Sequence, residues 1–159
     1  MRKVAVIGAG KIGSTVVDLL VGSGSYEAIL IDQAAGALGE FAGRAHVETA
    51  AMAIDDAEAL AARIAGAFAV VNCAPYHLTT AVARAAKAAG AHYLDLTEDV
   101  AASRIVRDLA ADATTAFIPQ CGLAPGFITI AAWELIKHFD QLHDVRLRVA
   151  PCRAIRPTR

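Results

Sequence analysis

Short apolar runs alternate with stretches of helical periodicity over the first 118 residues of the chain. Runs rich in alanine, valine and isoleucine predict strands at residues 3–7, 28–31, 47–54, 69–72, 92–96 and 115–118. Apolar residues recurring every three or four positions predict helices at 11–21, 34–41, 56–64, 78–89 and 100–112, with Gly22 and Gly90 as C-terminal stops. Strands alternating with helices of this length are parallel strands joined by crossovers. Such strands are buried on both faces, which accounts for unbroken apolar strings such as Val4-Ala5-Val6-Ile7 and Ala69-Val70-Val71. The expected fold is a doubly wound α/β sheet, Rossmann-like, of strand order 3-2-1-4-5-6, with ligand across the carboxyl ends of the strands. After Gly126 the pattern predicts a helix over 127–139, carrying the only tryptophan, Trp133, and a short strand over 145–149.

The turn after the first strand reads Gly8-Ala9-Gly10-Lys11-Ile12-Gly13, and Asp32 closes the second strand nineteen residues later. In a dinucleotide site Gly8 permits the tight strand-to-helix turn, Gly10 lets a pyrophosphate approach the backbone, and Gly13 lets the helix pack closely. The N–H groups of the helix start, from Lys11 and Ile12 onwards, face the phosphates. Asp32 then accepts from a ribose hydroxyl, its alternative being a solvated turn acid. With Gln33 behind it and no arginine following at once, Asp32 favours NAD over NADP, because a carboxylate repels a 2′-phosphate.

Composition narrows the partners. With 159 residues, 56% of them hydrophobic, and a formal net charge of -1, the chain suffices for one well-buried domain and offers no electrostatic ground for binding nucleic acid or an anionic membrane. The apolar stretch 57–71 is interrupted by Glu58 and Arg63, so no membrane span is expected. The start Met1-Arg2-Lys3 runs directly into a strand, without a secretory pattern, and a cytoplasmic location is expected. Cys73, Cys121 and Cys152 are widely spaced, and neither they nor the five histidines form a metal-ligand pattern; no metal is expected.

The remaining candidates lie at strand ends. Asn72, Cys73, Ala74 and Pro75 close the fourth strand beside the glycine turn, where backbone borders the phosphates and nicotinamide ribose; Cys73 reads as a small filler rather than a nucleophile. Ile54 and Asp55 end the third strand, either over the adenine or as core and helix cap. Tyr76 and His77 begin the next crossover facing the crevice, His77 being either a general base or a helix-capping or solvent-facing histidine. Asp95, Thr97, Glu98 and Asp99 supply three carboxylates in five residues. One of these could hold a substrate ammonium, while Thr97 or Asp99 could simply cap the following helix.

The strings NCAPYHLTTAVARAAKAAGAHYLDLTEDV and IPQCGLAPGF, together with GAGKIG, resemble the saccharopine dehydrogenase family, especially its bacterial lysine-dehydrogenase-like branch, over about residues 1–149. The resemblance implies an NAD- or NADP-dependent oxidation of a carbon–nitrogen bond in lysine or a lysine-derived amine, leaving an imine that water hydrolyses. It implies catalytic roles among Tyr76, His77, Asp95 and Glu98, and cofactor contacts from Thr97, Cys121 and Gly122, with Cys121 a contact and not a nucleophile. It also implies a second domain that carries much of the amino-acid site and the contact of a homodimer. On this reading residues 1–126 are the NAD(P)-binding domain, with Pro125 and Gly126 the hinge, 127–149 open the second domain, and 150–159 are an aperiodic tail. Related chains continue with a segment like Val-Gly-Ala-Leu-Pro-Arg-His-Pro-Pro-Asn-Ala. Loss of one G from a GC-rich coding sequence would turn that segment into the run from Val149 to Arg159, so a frameshift product is expected there, testable in the bases that follow.

Two other functions fit parts of the pattern. A non-catalytic NAD(H)-sensing Rossmann module shares the glycine turn and the acid but leaves CGLAPG unexplained. A methyltransferase uses a related turn and ends in a reversed hairpin that this chain does not show.

Overall fold

The structure, a computed structural model, describes residues 1–124 and 126–148. The expected hinge residue Pro125 and the tail 150–159, with its frameshift reading, lie outside the described residues, as does Val149. A six-stranded parallel sheet has the order β3-β2-β1-β4-β5-β6, as the βαβ rhythm requires. Its strands are β1 (Arg2–Ile7), β2 (Tyr26–Asp32), β3 (Val47–Ala51), β4 (Ala69–Asn72), β5 (His92–Asp95) and β6 (Phe117–Ile118). The helices are α1 (Lys11–Gly22), α2 (Ala57–Arg63), α3 (Thr79–Ala88), α4 (Val100–Ala110) and α5 (Phe127–Ile136), with 3-10 turns at Ala35–Phe41 and Tyr76–Leu78.

Side chains alternate across the sheet and build two cores. Val4 and Val6 of β1 pack with Ala28 and Leu30 of β2 under Val17 of α1 and under Leu38 and Phe41. Ala5 and Ile7 face the other way, joining Ile29, Ile31, Val70 and Tyr93 under Leu60 of α2, Val82 and Ala86 of α3 and Val106 of α4. Period-two alternation on every central strand is what lets one sheet carry helices on both faces.

Several boundaries differ from the periodicity; α5 ends at Ile136 instead of residue 139 and β6 begins at Phe117 instead of residue 115. Residues 35–41 wind as a 3-10 helix: Gly36 and Gly39 weaken α-helix formation, and the two buried side chains, Leu38 and Phe41, stand three apart, which is the 3-10 repeat. Strand β3 stops at Ala51 instead of residue 54, because its neighbour β2 ends at Asp32, the register partner of Ala51. The turn after α1 falls on Gly24, with φ +70°, and not on Gly22, which lies within the helix. Residues 145–148 form no strand.

Helix α5 follows the sheet with none of its residues buried. Phe127, Ile130, Trp133 and Leu135 all stand exposed, in line with an apolar helix that belongs against something else. Among the described residues no helix is long and apolar enough to cross a membrane.

Candidate cofactor and active site

The turn between β1 and α1 is shaped by what glycine lacks. Gly8 has φ +98°, and a Cβ there would meet the Ala74 nitrogen and the Cys73 carbonyl at 3.0 Å, so the turn lies directly against the loop after β4. A Cβ on Gly13 would fall 1.8 Å from the Gly8 carbonyl oxygen, which ties the first turn of α1 onto the end of β1. Around Gly10, by contrast, a Cβ meets nothing within 4 Å. Gly10 is also the N-cap of α1, with no side-chain cap and no acid in the first turn. The N–H groups of that turn have no intrahelical acceptor, and the helix dipole favours an anion in front of them. Open space at the one glycine where a phosphate must approach, and filled space at the other two, fits a dinucleotide.

Asp32 stands at the end of β2 beside this turn. Its Oδ2 accepts from the Ala9 amide at 2.7 Å and its Oδ1 from Ala34 at 2.8 Å. Two backbone donors fix the carboxylate next to the glycine turn while the residue stays half-buried, with its remaining lone pairs open to a ligand hydroxyl. Gln33 is exposed after it, and Asp55 is exposed beyond β3. The cap of α2 is Asp56, which accepts from Ala59, while Ile54 is core. Asp55 therefore supplies neither the cap nor a buried contact.

A cleft of about 410 Å³ opens where the strand order reverses, between β1 and β4. Ile12 of α1 lines it from one side, Asn72, Cys73, Ala74, Tyr76 and Thr79 after β4 from another, and Leu96, Thr97, Glu98 and Asp99 after β5 from the third.

A comparison with family models matches residues 4–118 to the saccharopine dehydrogenase NADP binding domain. The chain belongs to that family. Among solved structures it is similar to apo saccharopine dehydrogenase (L-Glu forming) from Saccharomyces cerevisiae, with 18% identity and a TM-score of 0.75, over 86% of this chain and 31% of that one. It is also similar to GenD2 from gentamicin A biosynthesis in complex with NAD, with 20% identity and a TM-score of 0.66, over 86% of this chain and 39% of that one. A third is the WlbA dehydrogenase from Chromobacterium violaceum in complex with NADH and UDP-GlcNAcA, with 17% identity and a TM-score of 0.62, over 74% of this chain and 34% of that one. At these identities the likeness is one of fold, and the chain spans about a third of the length of the chains it matches.

Within this family domain, the expected site residues separate into three groups. Tyr76 and Glu98 stand exposed on the cleft wall, and Thr97 lines it half-buried. His77 is exposed, edge-on to the Tyr76 ring at 5.9 Å, and is not among the residues lining the cleft.

Asp95 departs furthest from its expected role. It is 1% exposed, and its carboxylate is occupied: Oδ2 accepts from the Tyr93 hydroxyl at 3.0 Å, and Oδ1 from the amides of Thr97 at 3.1 Å and Gln120 at 3.0 Å. It holds loops in place, and no face of it is left for a substrate ammonium. Asp99 caps α4 by accepting from Ala102 at 2.7 Å, and Thr97 Oγ1 accepts from the Asp99 amide. Of the three carboxylates, Glu98 and Asp99 line the cleft, and only Glu98 is there without a capping bond and outside any ion pair among the described residues.

The two cysteines among the described residues are free thiols. Burial pushes Cys73 up to about 11. Cys121 is exposed, bonds its Sγ to the Ile118 carbonyl, and is raised first by partial burial and then by the neighbouring Asp95 charge. Cys121 and Gly122 do not line the cleft; they sit on the loop after β6. Gly126 there has φ +128°, and its Cβ would lie 2.2 Å from the Gly122 oxygen, so this loop closes on itself before α5.

Sequence reasoning missed Tyr93, Thr79 and Leu96. Tyr93 is fully buried and receives a hydrogen bond from Asn72 Nδ2 at 3.2 Å while donating to Asp95. The signal was present: Tyr93 and Asp95 are two apart on one strand and so share a face, and a buried tyrosine hydroxyl needs a partner.

Proposed function

We propose that this chain is the NAD(H)-binding part of a dehydrogenase acting on the C–N bond of lysine or a lysine-derived amine. The observation that carries the reading is the cleft at the sheet's reversal point, which puts the glycine-turn helix, through Ile12, opposite Tyr76, Thr97 and Glu98. Bound NAD supplies the hydride acceptor. The chain's own residues do the rest: the first turn of α1 receives the phosphates, Asp32 accepts from the ribose hydroxyls, and the small residues Cys73 and Ala74 let the ring approach the β4 loop. Oxidising an amine removes a hydride from carbon and a proton from nitrogen. Glu98, the lining carboxylate not spent on a cap, is assigned to pair with the substrate nitrogen, with Tyr76 beside it.

The family name points to NADP, whereas Asp32 supports NAD, because a fixed carboxylate at the end of β2 opposes a 2′-phosphate. We assign the chain to a cytoplasmic protein that dimerises through a further domain. Titration of the purified chain with NADH and NADPH, followed by cofactor fluorescence, tests the reading: saturable NADH binding that outcompetes NADPH supports it, and no binding of either overturns it.

A second reading, a non-catalytic NAD(H)-sensing module, is favoured by the solvent exposure of Tyr76 and Glu98, since hydride chemistry needs a site closed to water. NADH binding without turnover of lysine in the full-length protein would decide for it.

A further inference from the structure

Four polar groups form a chain from the cleft wall into the core. The Ala74 amide donates to Asn72 Oδ1 at 3.1 Å, Asn72 Nδ2 donates to the Tyr93 hydroxyl at 3.2 Å, and that hydroxyl donates to Asp95 Oδ2 at 3.0 Å. Asn72 Nδ2 also lies 3.5 Å from the Thr79 hydroxyl. Asn72, Tyr93, Asp95 and Thr79 are all at most 2% exposed, so water does not complete these bonds.

The chain has one direction. The Ala74 N–H can only donate, so it fixes which end of the Asn72 amide faces it. The Asn72 NH₂ can then only donate to Tyr93, which leaves the Tyr93 proton a single outlet, the Asp95 carboxylate. Burial holds the Tyr93 hydroxyl well above its ordinary range, keeping it a donor.

Asp95 also reaches the loop after β6. Asp95 Oδ1 accepts from Gln120, a non-glycine residue at φ +64°, and the Asp95 carbonyl accepts from Cys121 at 2.7 Å. A left-handed non-glycine residue is strained and persists only when its surroundings hold it.

We propose that Asp95 is a positioning residue that sets two loops at once, the β4 loop that walls the cleft, through Tyr93 and Asn72, and the loop after β6, through Gln120 and Cys121. The Ala74 nitrogen lies where a Cβ on Gly8 would meet it, and this closeness extends that control to the glycine turn. Only the consequence for cofactor binding rests on the function proposed above; the hydrogen-bond chain itself is tested without ligand.

The test is the ¹H–¹⁵N spectrum of the ligand-free chain. In Asp95→Asn, the amide oxygen must still accept from Thr97 and Gln120, which turns the new NH₂ towards Tyr93. The Tyr93 hydroxyl then meets donors on both sides, and the Ala74 amide resonance is expected to move, although the Ala74 amide is hydrogen-bonded to neither residue. Tyr93→Phe breaks the chain at its middle and is expected to move Ala74 while leaving Gln120 in place; it also carries the test if Asp95→Asn fails to fold. The pair Asn72→Asp with Asp95→Asn reverses both bonds of the Tyr93 hydroxyl, since a carboxylate at position 72 can accept from both Ala74 and Tyr93. It is expected to return the Ala74 resonance and the melting temperature towards wild type.

Asp112→Asn, an exposed acid paired with Lys87, is the control and should move nothing at Ala74. If Ala74 stays in place in the foldable single variants, or stays displaced in the double variant, Asp95 is a local anchor only and the proposal is overturned. NADH affinity should fall roughly tenfold or more in Asp95→Asn, the scale of losing a charge-assisted bond. Absence of NADH binding by the wild type would overturn the proposed function while leaving the spectral result standing.

Discussion

The amide of Ala9, in the middle of the glycine turn, donates to Oδ2 of Asp32 at 2.7 Å. Two features twenty-three residues apart in sequence thus form one unit, with the acid proposed to meet the ribose also bracing the glycine turn. Its second oxygen is fixed by Ala34, so the carboxylate cannot rotate away without giving up a backbone donor.

Asp32→Ala should therefore weaken NADH binding by roughly tenfold to a hundredfold, the range for hydrogen bonds to a charged group, and should narrow the gap between NADH and NADPH. Parallel fluorescence titrations with the two cofactors measure both effects. An unchanged preference would remove Asp32 from the discriminating role.

Two alanine substitutions in the same turn should fail in opposite ways. Gly13→Ala places a Cβ 1.8 Å from a backbone oxygen, which cannot move aside, and should cost about 1–3 kcal/mol or prevent folding. Gly10→Ala meets nothing, at an ordinary φ of -71°, and should leave the melting curve close to wild type while abolishing NADH binding. Thermal melts by circular dichroism alongside titrations separate the two.

Alkaline stability should carry the mark of Cys73. The thiol ionises near 9.0 when unfolded and at about 11 in the fold, so the unfolded chain releases its proton first. The contribution is fully present below pH 9.0 and is lost as pH rises towards 11. Urea midpoints for Cys73→Ala should decline less than wild type over this window, and Ellman's reagent at neutral pH should find Cys121 well before Cys73.

Trp133 is the only tryptophan and is 63% exposed on α5, so intrinsic emission reports that face alone. Iodide should quench it efficiently and its maximum should be that of a solvated indole. A blue-shifted, poorly quenched emission would mean that the apolar helix is covered in solution.

The glycine turn, Asp32 and the acid-rich end of β5 were legible from their spacing because each depends on neighbours within a few residues. The exchange of roles among Asp95, Glu98 and Asp99 was not. Three carboxylates in five residues look alike in sequence, and their fates were decided by Tyr93 two residues back, by Gln120 on another strand loop, and by the start of α4. Likewise nothing local marks the end of β3; the length of its neighbour β2 does.

The sequence by itself determined the parallel α/β class, the strand order and the place of the dinucleotide turn, because hydrophobic period, glycine sterics and crossover handedness act over short spans of chain. Only the tertiary structure decided that Asp95 faces inward to Tyr93 while Glu98 faces the cleft, and that Gly10 opens onto space while Gly13 does not. A carboxylate's role follows from the donors that meet it, and those arrive from strands that are neighbours in the sheet but distant along the chain.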